Sequence, residues 1–215
     1  MPGIKRNYEN ENPSVTTVLG VLRKIGLEFW FKFNTAKFCN EESEKGKLIG
    51  TQIHEGIECL INTGEIKVKT GYAEEVTNAL KAFMLFRKAH PEIKLNNSEI
   101  KMVSETYHYN GTLDCVAEEN GKLIILDWKT GQCKKKDKPD IYDEYKYQVS
   151  AYVKAYNETH KADINKAIIL SLAKDKVAYN EYIMEEQEIN DCFNEAFIPA
   201  LKIWNYQNKK GVKVG

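Results

Sequence analysis

Positive charge in excess is missing from this sequence: 31 Lys and Arg balance 31 Asp and Glu over 215 residues. A protein that coats nucleic acid along its whole surface is ordinarily basic, so any nucleic-acid contact here has to be local. No run of about eighteen apolar residues occurs, so neither a membrane-spanning helix nor a membrane partner is expected. The five cysteines are odd in number and show no CxxC spacing. That argues against structural disulfides and zinc, and for a reducing compartment. There is no P-loop pattern, so no ATP-driven motor is expected, and there are no internal repeats. The stretch from Met1 to Ser14 lacks the apolar core of a signal peptide and the Arg-rich, acid-poor character of a transit peptide. The resulting expectation is a cytoplasmic, bacterial or phage-encoded protein. His54-Glu55-Gly56-Ile57-Glu58 matches HExxH only in part, because Glu58 stands where the second ligand belongs, so the zinc-protease reading fails.

What is present is 42% hydrophobic residues, enough for a substantial core. Ser14 reads as the N-cap of a helix running to about Ile25 and stopped at Gly26. Phe29, Trp30, Phe31 and Phe33 crowd the next stretch. They read first as core and alternatively as a platform on which single-stranded bases stack. Apolar spacing predicts helices over 47–61, which carries His54, and over 72–90, closed by Pro91. An extended segment, 93–107, leads into a hairpin. Beyond it, Gly131 to Asp140 holds Lys134, Lys135, Lys136 and Lys138, a run that suits either plain solvation or steering of a phosphate backbone. A helix is expected from Pro139-Asp140 to about Asn157, then strands over 166–173 and 177–184. A closing helix over 186–209 follows, with a kink at Pro199. The alternation implies a mixed α/β core.

The hairpin carries the chemistry. Asn120-Gly121 is the strongest short-range signal for a tight turn. If those two residues form it, Glu119 faces Lys122 and, counting outward, Asp114 lands opposite Asp127. Lys129 shares the face of Asp127. Opposed like charges in a strand pair are destabilising. With apolar neighbours such as Val116, Ile125 and Leu126, the pair needs a compensating cation, either a divalent metal or Lys129. Hard divalent ions take carboxylate oxygens and lower the pKa of bound water, which suits phosphodiester hydrolysis. The plainer alternative is an ordinary hairpin with a surface Asp pair and a salt-bridging Lys.

Asp114 followed by Asp127-Trp128-Lys129 resembles the core of the PD-(D/E)XK nuclease superfamily. Gln148-Val149-Ser150-Ala151-Tyr152 resembles the QxxxY motif of its RecB-like and Cas4-like branch. Within that branch the chain looks most like the mitochondrial genome maintenance exonucleases and their phage relatives. The likeness runs from about Glu105 to Tyr156, with a looser match at Gly50-Thr51-Gln52-Ile53-His54. It implies a restriction-endonuclease-like α/β core, a central mixed sheet flanked by helices, and an N-terminal helical elaboration over the site. The chain would be a single nuclease domain, 1–215, with the elaboration over 1–92 and the sheet core over 93–215. His54 would join Asp114 and Asp127 in holding one or two Mg²⁺ or Mn²⁺ ions, with the Trp128 carbonyl as a further ligand. Lys129 would orient the attacking water, and Gln148 and Tyr152 would touch DNA or support Lys129. Glu105 is the candidate for the acidic position that precedes the hairpin aspartate. Only Cys192 lies near the C-terminus, so the iron-sulfur cluster of some relatives is not expected. The implied function is a DNA exonuclease acting on single-stranded ends. The alternatives are a double-strand-end exonuclease for recombination and a non-cutting DNA-binding protein of the same fold.

Overall fold

The computed structural model describes residues 10–65, 73–133 and 136–208. Five strands, β1 (Ile93–Ser104), β2 (Tyr109–Glu119), β3 (Lys122–Gly131), β4 (Lys166–Ala173) and β5 (Tyr179–Glu185), lie side by side in chain order. The first three form an antiparallel meander, β4 runs parallel to β3, and β5 returns antiparallel. A parallel step needs a crossover, which is helix α5 (Asp143–His160). The β2–β3 turn is the two-residue kind that the sequence indicates. Asn120 and Gly121 both take positive φ (52° and 80°), and Glu119 faces Lys122.

Helices cover both faces of the sheet. Ile124, Leu126 and Trp128 of β3 join one core with α3 (Ala36–Thr63) and α4 (Glu74–Ala89). Ile125, between them, joins the other core, with α1 (Val15–Leu19), α5 and the C-terminal helices. Strand β4 is buried almost throughout, as expected of an inner strand covered on both sides. Among the described residues, no helix is long and apolar enough to cross a membrane.

Several boundaries differ from the sequence reading, each for a local reason. Ser14 does cap α1, its side chain accepting from the Thr17 N–H, but α1 ends at Leu19. The N–H groups of Gly20, Val21 and Leu22 bond three residues back, which tightens and ends the helix. A separate helix, α2 (Ile25–Phe33), follows, so Gly26 lies inside a helix instead of stopping one. The aromatic run on α2 is not core: none of its residues is buried, and Phe33 is 74% exposed. Helix α3 is longer than the apolar pattern indicated, because Thr35 caps it and its charged first half lies on the surface. At the other end the closing helix is broken. Helix α6 (Glu186–Asp191) passes into a π-helical turn, Cys192–Phe197, before α7 (Ile198–Gln207). Pro199 at the start of α7 has no N–H to give to the preceding turn, and the π turn absorbs the mismatch. The ends of the predicted helices over 72–90 and 186–209, at Tyr72 and Lys209, lie outside the described residues.

Candidate active site

The β2–β3 ladder is paired from Glu119↔Lys122 out to Cys115↔Leu126 and stops one step short of Asp114 and Asp127. There the backbone N–H of Trp128 turns to the Asp114 side chain, at 2.9 Å from Oδ2. The two strands part, and polar side chains from both faces of the sheet meet in the opening.

A third carboxylate completes the row. The β1–β2 register pairs Ser98 with Cys115 and Ile100 with Leu113, which sets Glu99 across from Asp114. Glu99 has φ of 52° in mid-strand, a conformation that costs a non-glycine residue about 1–2 kcal/mol. Glu105, the residue the sequence suggested as a further acidic group, is exposed in the β1–β2 turn, and the acidic residue grouped with His54 and Asp114 is Glu99. The sequence did hold a signal for it. Centring the β1–β2 turn between Ser104 and Tyr109 and counting outward reaches Glu99 and Asp114 together.

Helix α3 brings His54 to this row from the other side. Its Nδ1 lies 3.4 Å from Asp114 Oδ1 and 3.9 Å from Glu99 Oε1. His54, Glu99 and Asp114 offer ligand atoms within 4.8 Å of one another. Asp127 sits one strand further on, 1% exposed, with its Oδ2 2.5 Å from Lys129 Nζ. Its Oδ1 has no hydrogen-bond partner among the described residues. A buried carboxylate oxygen left in that state is costly unless a cation faces it.

On the α5 face, Tyr152 is buried with its ring against β2. A Cβ at Gly111 would come within 2.9 Å of Tyr152 Cε1, so only glycine allows the ring to lie there. The Tyr152 hydroxyl accepts from Gln148 Nε2 at 2.7 Å, which joins the two motif residues one helical turn apart. Lys129 Nζ stands 5.6 Å from the centre of the Tyr145 ring, a cation–π contact that the sequence reading missed. Lys136 and Lys138 of the lysine loop are exposed. Lys136 pairs with Asp140 at 2.5 Å, and Lys134 and Lys135 lie outside the described residues.

The charges pull on one another. Burial opposes charge on His54, but Asp114, seconded by Glu99, outweighs it and pushes the imidazole up to about 9. Burial likewise works against ionisation of Asp114, yet His54, Lys129 and the Trp128 N–H together hold its carboxyl below the ordinary range. On Asp127 burial prevails: with the Asp114 charge adding to it and Lys129 opposing, the carboxyl is pushed up to about 6. Burial opposes the Lys129 charge too, but Asp127 and Asp114 outweigh it and keep the ammonium charged. Burial raises the Tyr152 phenol, which stays protonated as a donor.

The donor set is three carboxylates and an imidazole, without thiolate, and it includes an unsatisfied buried oxygen. That set fits a hard divalent cation such as Mg²⁺ or Mn²⁺. A mixed sheet that opens at a carboxylate pair beside a buried lysine defines the class: an α/β fold with a candidate metal-assisted active site at the end of a hairpin.

Within that class, the PD-(D/E)XK nuclease superfamily model matches residues 71–202, more than half of the chain, and the chain belongs to that family. It is 28% identical over 174 residues to "Mitochondrial genome maintenance exonuclease 1" of Homo sapiens, covering 76% of this chain and 46% of that protein. The Xenopus tropicalis protein of the same name is 26% identical over 219 residues, covering 94% and 59%. The chain thus spans about half the length of these curated relatives. Among solved structures, a putative exonuclease from Eubacterium rectale shares the fold, with a TM-score of 0.53 and 11% identity, over 97% of this chain and 89% of that one.

Proposed function

We propose that this chain is a divalent-metal-dependent exonuclease that hydrolyses DNA from single-stranded ends. The observation that carries the reading is the convergence of His54, Glu99 and Asp114 beside the buried Asp127–Lys129 pair. His54, Glu99, Asp114 and Asp127 would hold the cation, with the Trp128 carbonyl as a further oxygen. When bound, such an ion polarises a phosphoryl oxygen and lowers the pKa of water. The side chains do the rest. The Trp128 N–H fixes Asp114. Lys129, kept charged by its carboxylate neighbours, orients the attacking water and meets the charge that builds on the phosphate oxygens. Tyr152 and Gln148 stand beside Lys129, where they support it or contact the DNA backbone. The related exonucleases favour cutting over mere binding, and so does the presence of the complete Asp-Asp-x-Lys set.

Two features favour a single strand. The chain has no net positive charge with which to hold duplex by counterion release. It also exposes aromatic rings, Phe29, Phe31 and Phe33 on α2 and Phe38 on α3, which suit base stacking. Phe38 and His54 lie on one helix, about 24 Å apart by helical rise, so a strand reaching from one to the other would cross several nucleotides. The test offers linear single-stranded, circular single-stranded and blunt duplex DNA in equal nucleotide amounts. Rapid loss of the linear strand alone is expected. Comparable loss of the circle would mean endonuclease action, and preference for blunt duplex would mean a recombination-type exonuclease.

A further inference from the structure

The start of α5 carries two tyrosines beside Lys129. The Tyr145 ring centre lies 5.6 Å from Lys129 Nζ, and the Tyr142 ring stands edge to face against Tyr145, with centroids 5.4 Å apart at 79°. Tyr145 is half-buried against the core on the α5 side of the sheet, whereas Tyr142 is 51% exposed. The Tyr145 N–H bonds to the Tyr142 carbonyl at 3.0 Å, which fixes the two residues in one turn of backbone. Lys129, Tyr145 and Tyr142 thus form a row that runs from the buried charges of the site out to the surface. The step from the ammonium to the outer ring is on the scale of one nucleotide.

The outer ring serves its own helix poorly. Tyr142 holds the N-cap position of α5, where Ser, Thr, Asp or Asn would bond the free N–H groups, and it makes no side-chain cap bond. The surroundings admit a DNA strand in spite of two nearby carboxylates. Asp143 has Lys146 at 3.5 Å and Glu144 has Lys24 at 3.0 Å, so each acidic charge next to Tyr142 is met. Lys24 is the N-cap of α2, so the helix with exposed Phe29, Phe31 and Phe33 starts beside the tyrosine pair. An exposed ring offers a π face to a base of any sequence. A phosphate that meets Lys129 leaves the base of its own nucleotide or of the next within reach of Tyr142.

We propose that Tyr142 is a substrate-positioning residue: the unpaired base of a nucleotide flanking the scissile phosphate stacks on its ring. This rests on the reading of the Asp-Asp-x-Lys cluster as an exonuclease site for single-stranded ends. It adds a reason for that strand preference, because a paired base is already stacked within its duplex and has no face to give to the ring.

The experiment uses end-labelled linear single strands in which an abasic residue replaces, one at a time, the nucleotides next to the first bond cut. The rate of the first cut is followed with the full chain and Mg²⁺ over a range of enzyme concentrations, which separates half-saturation from maximal rate. One abasic position should raise the half-saturating concentration of the wild type about five- to a hundredfold, the loss of one stacked base. Tyr142→Ser should show that loss with the intact strand and little further loss with the abasic one. Tyr142→Phe, which keeps the ring, should match the wild type. A Tyr142→Ser variant as sensitive to abasic residues as the wild type, or a wild type indifferent to every abasic position, would overturn the stacking and leave the exonuclease reading standing. No cleavage of any single strand by the wild type would overturn both.

Discussion

Glu99→Gly is a substitution whose effect should change sign with metal. In the metal-free protein Glu99 has two unfavourable features. Its φ of 52° costs about 1–2 kcal/mol for a side-chain-bearing residue, and its carboxylate faces that of Asp114 across the β1–β2 register. Glycine removes both. Against this, glycine loses about 0.5–1 kcal/mol more backbone entropy on folding. The weak 3.9 Å contact with His54, worth about 0–1 kcal/mol at a part-exposed site, is also lost. The quantified effects sum to about −1 to +1.5 kcal/mol, and relief of the facing carboxylates adds to this, so the balance centres on neutral to mildly stabilising. A bound cation stabilises the folded state by RT ln(1 + [L]/Kd), so losing a ligand forfeits stabilisation that grows with metal concentration. The assay is urea unfolding in EDTA and across a Mg²⁺ series, with Glu99→Gln alongside to remove the charge but keep the strain. Glycine should equal or exceed wild type in EDTA and fall behind as Mg²⁺ rises, with glutamine lower than glycine in EDTA. Clear destabilisation of Glu99→Gly in EDTA, or an undiminished response to Mg²⁺, would refute the reasoning.

Three other substitutions follow from the packing. Gly111→Ala should push the Tyr152 ring off β2, costing about 1–3 kcal/mol by overpacking and lowering turnover; unchanged melting and rate would show that the ring yields freely. Glu158 accepts from Ser104 Oγ and from the N–H and hydroxyl of Thr106, and these bonds hold its carboxyl below its ordinary value despite the opposing effect of burial. Its contribution is complete above the unfolded value, near about pH 4.3, and disappears as pH falls through the lower folded value. Glu158→Gln should thus cost about 1–2 kcal/mol at pH 7 and flatten the acid limb of stability; an acid limb as steep as wild type would contradict this. Phe31→Ser with Phe33→Ser should leave thermal stability nearly unchanged, since both rings are exposed, and weaken single-stranded DNA binding severalfold; a large drop in melting temperature would mean that α2 is structural.

The hairpin was the most legible part of the chain, because Asn120-Gly121 fixes a turn geometry and period-2 counting then orders everything outward. That counting brings Asp114, Asp127 and Lys129 together without outside help. His54, Gln148 and Tyr152 were reached only through the family resemblance, because helices α3 and α5 approach the site through tertiary packing that periodicity does not encode. Glu99 was missed for a different reason. The turn after Ser104 has no Asn-Gly signature, so no turn type fixes where the outward count begins. The aromatic run of α2 reads as core by composition, and only the packing of the whole chain leaves it exposed. Trp128 points away from the face of Asp127, so strand alternation alone gives no hint that its indole meets His54.

Single-turnover cleavage by Lys129→Ala is the most direct measurement of the central claim. The variant is mixed in excess with end-labelled linear single-stranded DNA and Mg²⁺, and DNA binding is measured on the same preparation. On the proposed role, Lys129 meets charge that develops only as the phosphodiester reacts, so its loss belongs in the rate and not in binding. The expected result is near-normal DNA affinity with cleavage slowed by about three orders of magnitude or more, in line with the loss of a strong transition-state contact. Cleavage at the wild-type rate with normal binding would contradict the assignment of Lys129 and of the Asp127 carboxylate that holds it.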